Sequence, residues 1–104
     1  MLTAIEDIHA LLRGRSRADF ASDLMLRMAV ERLFEIISEA SRFIPEDIKA
    51  DEKAIAWQRL ADLGNWLRHA YHRIDVDILW NIVENDLEPL KRFVERIVRT
   101  GKSK

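Results

Sequence analysis

The sequence contains no cysteine, and only three glycines and two prolines stand among its 104 residues. Without cysteine the chain has no disulfide, no thiolate metal site and no cysteine nucleophile. It has no apolar run long enough to span a bilayer, and the residues after Met1 lack the basic start and apolar stretch of a signal peptide. These absences predict a cytoplasmic protein without a membrane segment.

The composition that remains is that of a folded protein, with 48% hydrophobic and 34% charged residues. A chain of this length forms one domain with one core, which we place at residues 1–104. The net charge is −1, but residues 1–90 carry 11 basic and 17 acidic side chains, whereas residues 91–104 carry 6 basic and 1 acidic. We interpret the basic tail, from about residue 99, as a solvated helix end, where cations are stabilised by the helix dipole; the alternative is contact with phosphates.

Apolar residues recur at helical spacing nearly throughout, so we predict an all-α fold, an antiparallel bundle of four to five helices. The first stripe, Ile5, Ile8 and Leu12, ends at Gly14, which offers a left-handed cap. The segment 13–17 is predicted to be a loop.

The predicted second helix runs from about Asp19 to Arg42. Its polar face is expected to comprise Arg27, Glu31, Glu35, Ser38 and Arg42. Its apolar face is widened by Phe20, Leu24, Phe34 and Ile36. This apolar surface exceeds what one neighbouring helix covers, which leaves open a broad intramolecular core or a dimer face.

The second half of the chain predicts three further helices. Pro45 suits the first turn of a short helix over Pro45–Ala50, and a third long helix covers about Ala54–His69. Asp75 is a good N-cap for the last helix. Because Pro89 removes a backbone donor inside that helix, we expect a kink near Glu88.

Residues 64–75 concentrate the side chains that support chemistry: two of the three histidines, the only tyrosine, two arginines and an asparagine. A histidine transfers protons near neutral pH, an arginine holds a phosphate, and a tyrosine ring stacks on a base. Cleavage of an RNA phosphodiester needs this set and no metal. The alternative is that the histidines lie on the surface, Tyr71 is buried, and Arg68 and Arg73 pair with nearby aspartates.

Within this stretch, His69-Ala70-Tyr71 resembles the His-x-Tyr end of the HEPN signature, Arg-x(4–6)-His-x-Tyr. The segment Arg27 to Ala40 resembles the second helix of the HepT-like ribonuclease toxins of that superfamily. Residues 74–80 and 86–90 resemble its closing helix. The similarity extends over nearly the whole chain, to about Val98.

The resemblance implies a helical bundle that dimerises and joins the two signature segments in one composite site. It also implies metal-independent RNA cleavage without a cofactor, and neutralisation by an MNT-type nucleotidyltransferase antitoxin that adds AMP to the signature tyrosine. Carried over, His69 is the acid/base residue, and Tyr71 is a second site residue and the AMPylation target. Asn65 matches the asparagine that often follows the signature arginine, and the family tends to carry an acid near the site at the position of Glu39. With Asn65, we expect Arg73 and Trp66 to bind the substrate.

One position departs from the signature, because Gly64 stands where the arginine is expected. Our hypothesis is that Arg68, one helical turn further on, substitutes by reaching back across the space above the glycine. The alternative is a non-catalytic module that binds nucleotides or the partner and keeps only the fold.

Two other groups of residues have competing interpretations. His69, His72 and Asp75 are spaced as metal ligands, but the segment is expected to leave the helix there, and we predict no metal site. Core packing is the default for the three tryptophans, although Trp66, beside the signature, is also a candidate wall of a nucleotide pocket. A purely structural helical dimer would bury His69 and Tyr71.

Overall fold

Helices make up all the regular secondary structure of residues 1–69 and 75–102, the part of the chain that the computed structural model describes. The elements are α1 (Leu2–Leu12), α2 (Arg17–Ser22), α3 (Leu24–Ser41), α4 (Glu46–Asp51), α5 (Trp57–His69), α6 (Val76–Asn85) and α7 (Leu87–Lys102). The predicted all-α fold is confirmed. These residues form seven helices instead of four to five, because two of the predicted helices are each divided. None of these helices is long and apolar enough to cross a membrane.

The predicted second helix is divided at Asp23, whose backbone is extended. The Asp23 carboxylate accepts a hydrogen bond from the Leu26 backbone N–H at 3.0 Å and so begins α3 as its N-cap. The preceding turn, α2, starts at Arg17 behind a capping box of Ser16 and Asp19. In this capping box the Ser16 backbone N–H donates a hydrogen bond to the Asp19 carboxylate. This hydrogen bond holds the pKa of Asp19 below its usual range. The prediction of one continuous helix was wrong because this capping residue stands inside the apolar pattern.

The predicted last helix is likewise two helices, which meet at Asp86. As predicted, Asp75 caps the first of them, accepting from the Asp77 backbone N–H at 2.7 Å. The expected kink near Glu88 is instead a break two residues earlier. Pro89 therefore lies in the first turn of α7, where a missing backbone N–H leaves no hydrogen bond unmade.

The core is built around α3, which contacts α1, α2 and α5. The fully buried side chains of the core include Ile5, Ile8, Phe20, Val30, Phe34, Ile37, Leu60, Leu79, Ile82, Leu87 and Leu90. Gly14 follows α1 with a φ of 73°, the left-handed conformation that was predicted for it. The short helix α4 follows Pro45 as its N-cap, and α5 begins at Trp57, three residues later than predicted.

Phe34 and Phe43 provide a matched test of this core. Phe34 is 0% exposed at the centre of α3, whereas Phe43, just beyond the end of α3, is 81% exposed. Phe34→Ala should lower the free energy of unfolding by about 3–5 kcal/mol, because it leaves a cavity in the core. Phe43→Ala should change it by less than about 0.5 kcal/mol. Denaturant titration followed by circular dichroism measures both; equal losses would place Phe34 outside the core.

Candidate functional site

The last two turns of α5 present the predicted site residues to solvent. Successive helical residues are rotated by about 100°, so Arg68, Asn65 and His69 follow one another around the helix. All three are exposed, whereas Leu63 on the opposite side is buried. Gly64, one turn before Arg68 on the flank toward α3, is also buried. The structure therefore places these three side chains on one open surface, and their roles stay predictions. Tyr71 and Arg73 lie outside the described residues.

Arg68 lies at the edge of this surface nearest α3 and forms an ion pair with Glu39. Its Nη1 donates to the Glu39 carboxylate at 3.3 Å. The same carboxylate oxygen accepts from Arg42 Nη1, also at 3.3 Å. Glu39, the acid that the resemblance suggested near the site, thus contacts the candidate arginine directly.

The space above Gly64 is filled by Ser38 of α3, which is buried. A Cβ built on Gly64 would overlap the Ser38 Oγ and Cβ and lie 3.8 Å from the Ser38 Cα. Two predictions are corrected here. Ser38 does not lie on the polar face of its helix, and Arg68 does not reach back over the glycine, because the serine already occupies that volume. An arginine at position 64 would not fit this packing.

Trp66 borders a cavity on the other side of the α5 surface. The cavity has a volume of about 160 Å³ and is lined by Arg59, Asp62, Leu63, Trp66, Ile78 and Ile82. Trp66 is 50% exposed, so one part of its ring remains open to a ligand. The placement fits the predicted role of Trp66 as the wall of a nucleotide pocket, and that role stays a prediction.

Two polar residues that line this cavity, Asp62 and Arg59, form hydrogen bonds with other side chains of the protein. Asp62 accepts from the side-chain amide of Gln58 at 2.8 Å. Arg59 donates to Asp86 at 3.1 Å and joins α5 to the break between α6 and α7. Burial raises the pKa of Asp86, and the Arg59 guanidinium opposes that rise.

The other two tryptophans are half-buried and pack against the core, in line with the default interpretation. Trp57 meets Phe93 edge to face with ring centroids 5.4 Å apart, and Trp80 meets Phe20 at 5.6 Å. The sequence predicted no metal site, and only some of the candidate ligands lie in the described residues. The described residues contain no group of three metal-ligand side chains, and His72 lies outside them.

A stripe on one face of α3 consists of the exposed apolar residues Met25, Met28 and Ile36, with the exposed Arg32 between the last two. Ile36 lies one turn before Glu39 on this face. Of the side chains that widened the predicted apolar face, Phe20 and Phe34 are fully buried, whereas Leu24 and Ile36 are exposed. The excess apolar surface is therefore partly core and partly unpartnered in the single chain.

Comparison with known proteins identifies the family of the chain. The family model described as Ribonuclease HepT-like matches residues 1–97. The chain belongs to the HepT-like ribonuclease family. A relative named Probable ribonuclease HepT, from Thermococcus cleftensis, is 39% identical over 94 residues, which cover 90% of this chain and 86% of the relative. A putative RNase from Methanocaldococcus jannaschii is 35% identical over 95 residues, which cover 91% and 87% of the two chains. No solved structure matches this HepT-like chain at a significant level.

The family membership confirms the resemblance recognised from the sequence. Two contacts were missed. Ser38 and Arg42 were assigned to a solvated polar face. Ser38 is instead buried against Gly64, whereas Arg42 is exposed as predicted and pairs with Glu39. The available signal was Gly64 itself, because a glycine inside a helical pattern often marks a close approach of backbones.

Gly64→Ala tests the contact between α3 and α5. In an open helix this change would stabilise the protein by about 0.5–1 kcal/mol. Here the new Cβ overlaps Ser38, so we expect a loss of about 1–3 kcal/mol in the free energy of unfolding.

A double-mutant cycle with Ser38→Gly isolates the cause of that loss. Once Ser38 has no side chain, Gly64→Ala should become neutral or stabilising. Ser38→Ala should not relieve the overlap fully, because its Cβ remains. A single Gly64→Ala variant that unfolds at higher denaturant than the parent would contradict the packing described.

Proposed function

We propose that this HepT-like chain is a metal-independent endoribonuclease and the toxin of a toxin–antitoxin pair. The observation that carries the proposal is the exposed pair Arg68–His69 at the end of α5, in a chain that matches the family over residues 1–97. A proton acceptor and a guanidinium are thereby adjacent on one open surface. RNA in the cytoplasm is the proposed substrate.

The proposed reaction is attack of the ribose 2′-oxygen on the neighbouring phosphorus. His69 takes the 2′-hydroxyl proton as the new O–P bond forms, and the bond from phosphorus to the 5′-oxygen breaks. The leaving 5′-oxygen takes a proton from solvent, which yields a cyclic phosphate and a free 5′-hydroxyl. Arg68 offsets the charge that gathers on the phosphate in the transition state. Asn65, Trp66 and Arg73 are proposed to hold the nucleotide, and Tyr71 is the second residue of the site.

We propose a homodimer as the active species, with the stripe Met25, Met28 and Ile36 as part of its interface. Exposed apolar patches of this kind are typical of surfaces that associate. Because the stripe runs into Glu39, which holds Arg68, a second copy packed there would cover the flank of the site. Exclusion of water from that cleft would strengthen each charge contact.

The proposed partner is an MNT-type nucleotidyltransferase antitoxin. It would neutralise the toxin by attaching AMP to Tyr71: the phenol oxygen attacks the α-phosphorus of ATP, and pyrophosphate leaves. The support is the position of Tyr71, two residues beyond the exposed His69.

A second candidate function is a binding module without catalysis. The observation in its favour is Ser38, which fills the place of a signature arginine at position 64. In this case the chain binds nucleotides or the antitoxin, and His69 has no proton to transfer.

Replacing His69 separates the two candidates. On an unstructured RNA with excess EDTA, His69→Ala should slow cleavage by about 100-fold or more, the usual contribution of a general acid–base group. Arg68→Ala should cause a loss of at least about 100-fold, and Arg68→Lys a smaller one because the charge remains. Rates are measured from end-labelled fragments.

His9→Gln is the matched control, because His9 is a histidine of α1, a helix that packs mainly against α3 and α7. It should cleave at the parental rate. Expression in cells provides a second measurement: growth arrest that His69→Ala relieves supports the enzyme. Cleavage that survives His69→Ala undiminished would exclude the proposed mechanism, and a parent protein that binds RNA without cutting it would favour the binding module.

A further inference from the structure

The Glu39 carboxylate is shared by two arginines from different parts of the fold. One of its oxygens accepts from Arg42 Nη1 and from Arg68 Nη1, each at 3.3 Å. The two nitrogens are therefore at most about 6.6 Å apart. Arg42 is the residue that ends α3, and Arg68 belongs to the last turn of α5. The group carries two positive charges and one negative charge.

The backbones that carry these two arginines are held near each other by the helix packing beneath them. Ser38 and Gly64 lie one turn before Arg42 and Arg68, respectively, and their contact leaves no room for a Cβ at position 64. The two helices therefore approach closely at this point. The shared Glu39 carboxylate holds the two guanidinium groups, whose side chains remain partly exposed.

An anionic oxygen between two guanidinium groups is the arrangement that arginines adopt around a phosphate. Exposed ion pairs contribute only about 0–1 kcal/mol to stability. Replacement of the Glu39 carboxylate by a phosphate therefore changes the free energy of unfolding little. The adjacent residue is His69, the proposed proton acceptor. The ligand that fits this position is therefore a phosphodiester of the RNA strand.

We propose that Arg42 is a further substrate-binding residue, which together with Arg68 binds one RNA phosphate in the place of the Glu39 carboxylate. Glu39 is a positioning residue that holds both guanidinium groups in the free protein and competes with the phosphate. The inference rests on the proposed ribonuclease function, because it assigns a role at that same site.

Binding to a fluorescent single-stranded RNA tests the inference in a His69→Ala background, in which the RNA stays intact. Arg42→Ala should weaken binding by about tenfold and lower the slope of log affinity against log salt by about 0.7, the loss of one phosphate contact on a single strand. Arg96→Ala is the matched control. Arg96 is 58% exposed against 60% for Arg42 in their side chains, and it pairs with Glu52 at 2.8 Å. It should change binding by less than about twofold.

Removal of the competing charge should act in the opposite direction. Glu39→Gln keeps the shape of the side chain but no longer opposes the phosphate, so RNA should bind about threefold tighter or more. Glu52→Gln removes the same charge beside Arg96 and should leave the affinity unchanged. In the protein with His69 intact, Arg42→Ala should raise KM more than it lowers kcat, whereas a structural defect would reduce the thermal midpoint as well.

The outcomes distinguish this inference from the proposed function. If the parent binds and cuts RNA, and Arg42→Ala behaves like Arg96→Ala, Arg42 is excluded from the site while the ribonuclease function stands. Looser binding in Glu39→Gln would overturn the competition between carboxylate and phosphate. A parent protein that neither binds nor cuts RNA would overturn both proposals together.

Discussion

Ser38 and Gly64 form the contact on which the arrangement of this protein depends. Position 64 has no side chain, so α5 approaches α3 until the serine fills the remaining space. The same helix, α3, also packs against α1 and α2, and a displacement at this point would disturb its other contacts. With no cysteine in the sequence, close packing has to supply the stability that small proteins otherwise gain from disulfides.

The electrostatics of the site follow from that apolar contact. Glu39 is the neighbour of Ser38, and Arg68 lies one turn after Gly64, so the approach of the helices brings carboxylate and guanidinium to 3.3 Å. An exposed ion pair of this kind contributes little to stability by itself. The backbones that carry the pair are nevertheless held near each other by the contact between Ser38 and Gly64.

The sequence predicts those features of the fold that local chemistry determines. Helical periodicity gave the all-α class, and cap chemistry located Gly14 and Asp75 correctly. The breaks at Asp23 and Asp86 were not predicted, since apolar spacing continues across each of them. Periodicity records which side chains are buried and does not record where one helix stops and the next begins.

For the site, the sequence located the exposed surface of α5 and missed its partners on α3. Arg42 and Ser38 are polar residues on a helix with an apolar stripe, and the simplest interpretation put both in solvent. Only the folded structure shows that Ser38 faces Gly64 and that Arg42 shares the Glu39 carboxylate with Arg68. Contacts between residues that are 26 or 29 positions apart leave no trace in a local pattern.

The same packing leaves no room for an arginine at position 64. A long side chain there would have to pass through Ser38, so a cation that serves this surface must come from its rim. Position 68 is the next one along that edge of α5, and its arginine reaches α3 at Glu39 instead of the space above the glycine. Because the scaffold is common to a nuclease and to a binding module, the fold does not decide between them. The two differ in the proton transfer proposed for His69, which a nuclease needs and a binding module does not.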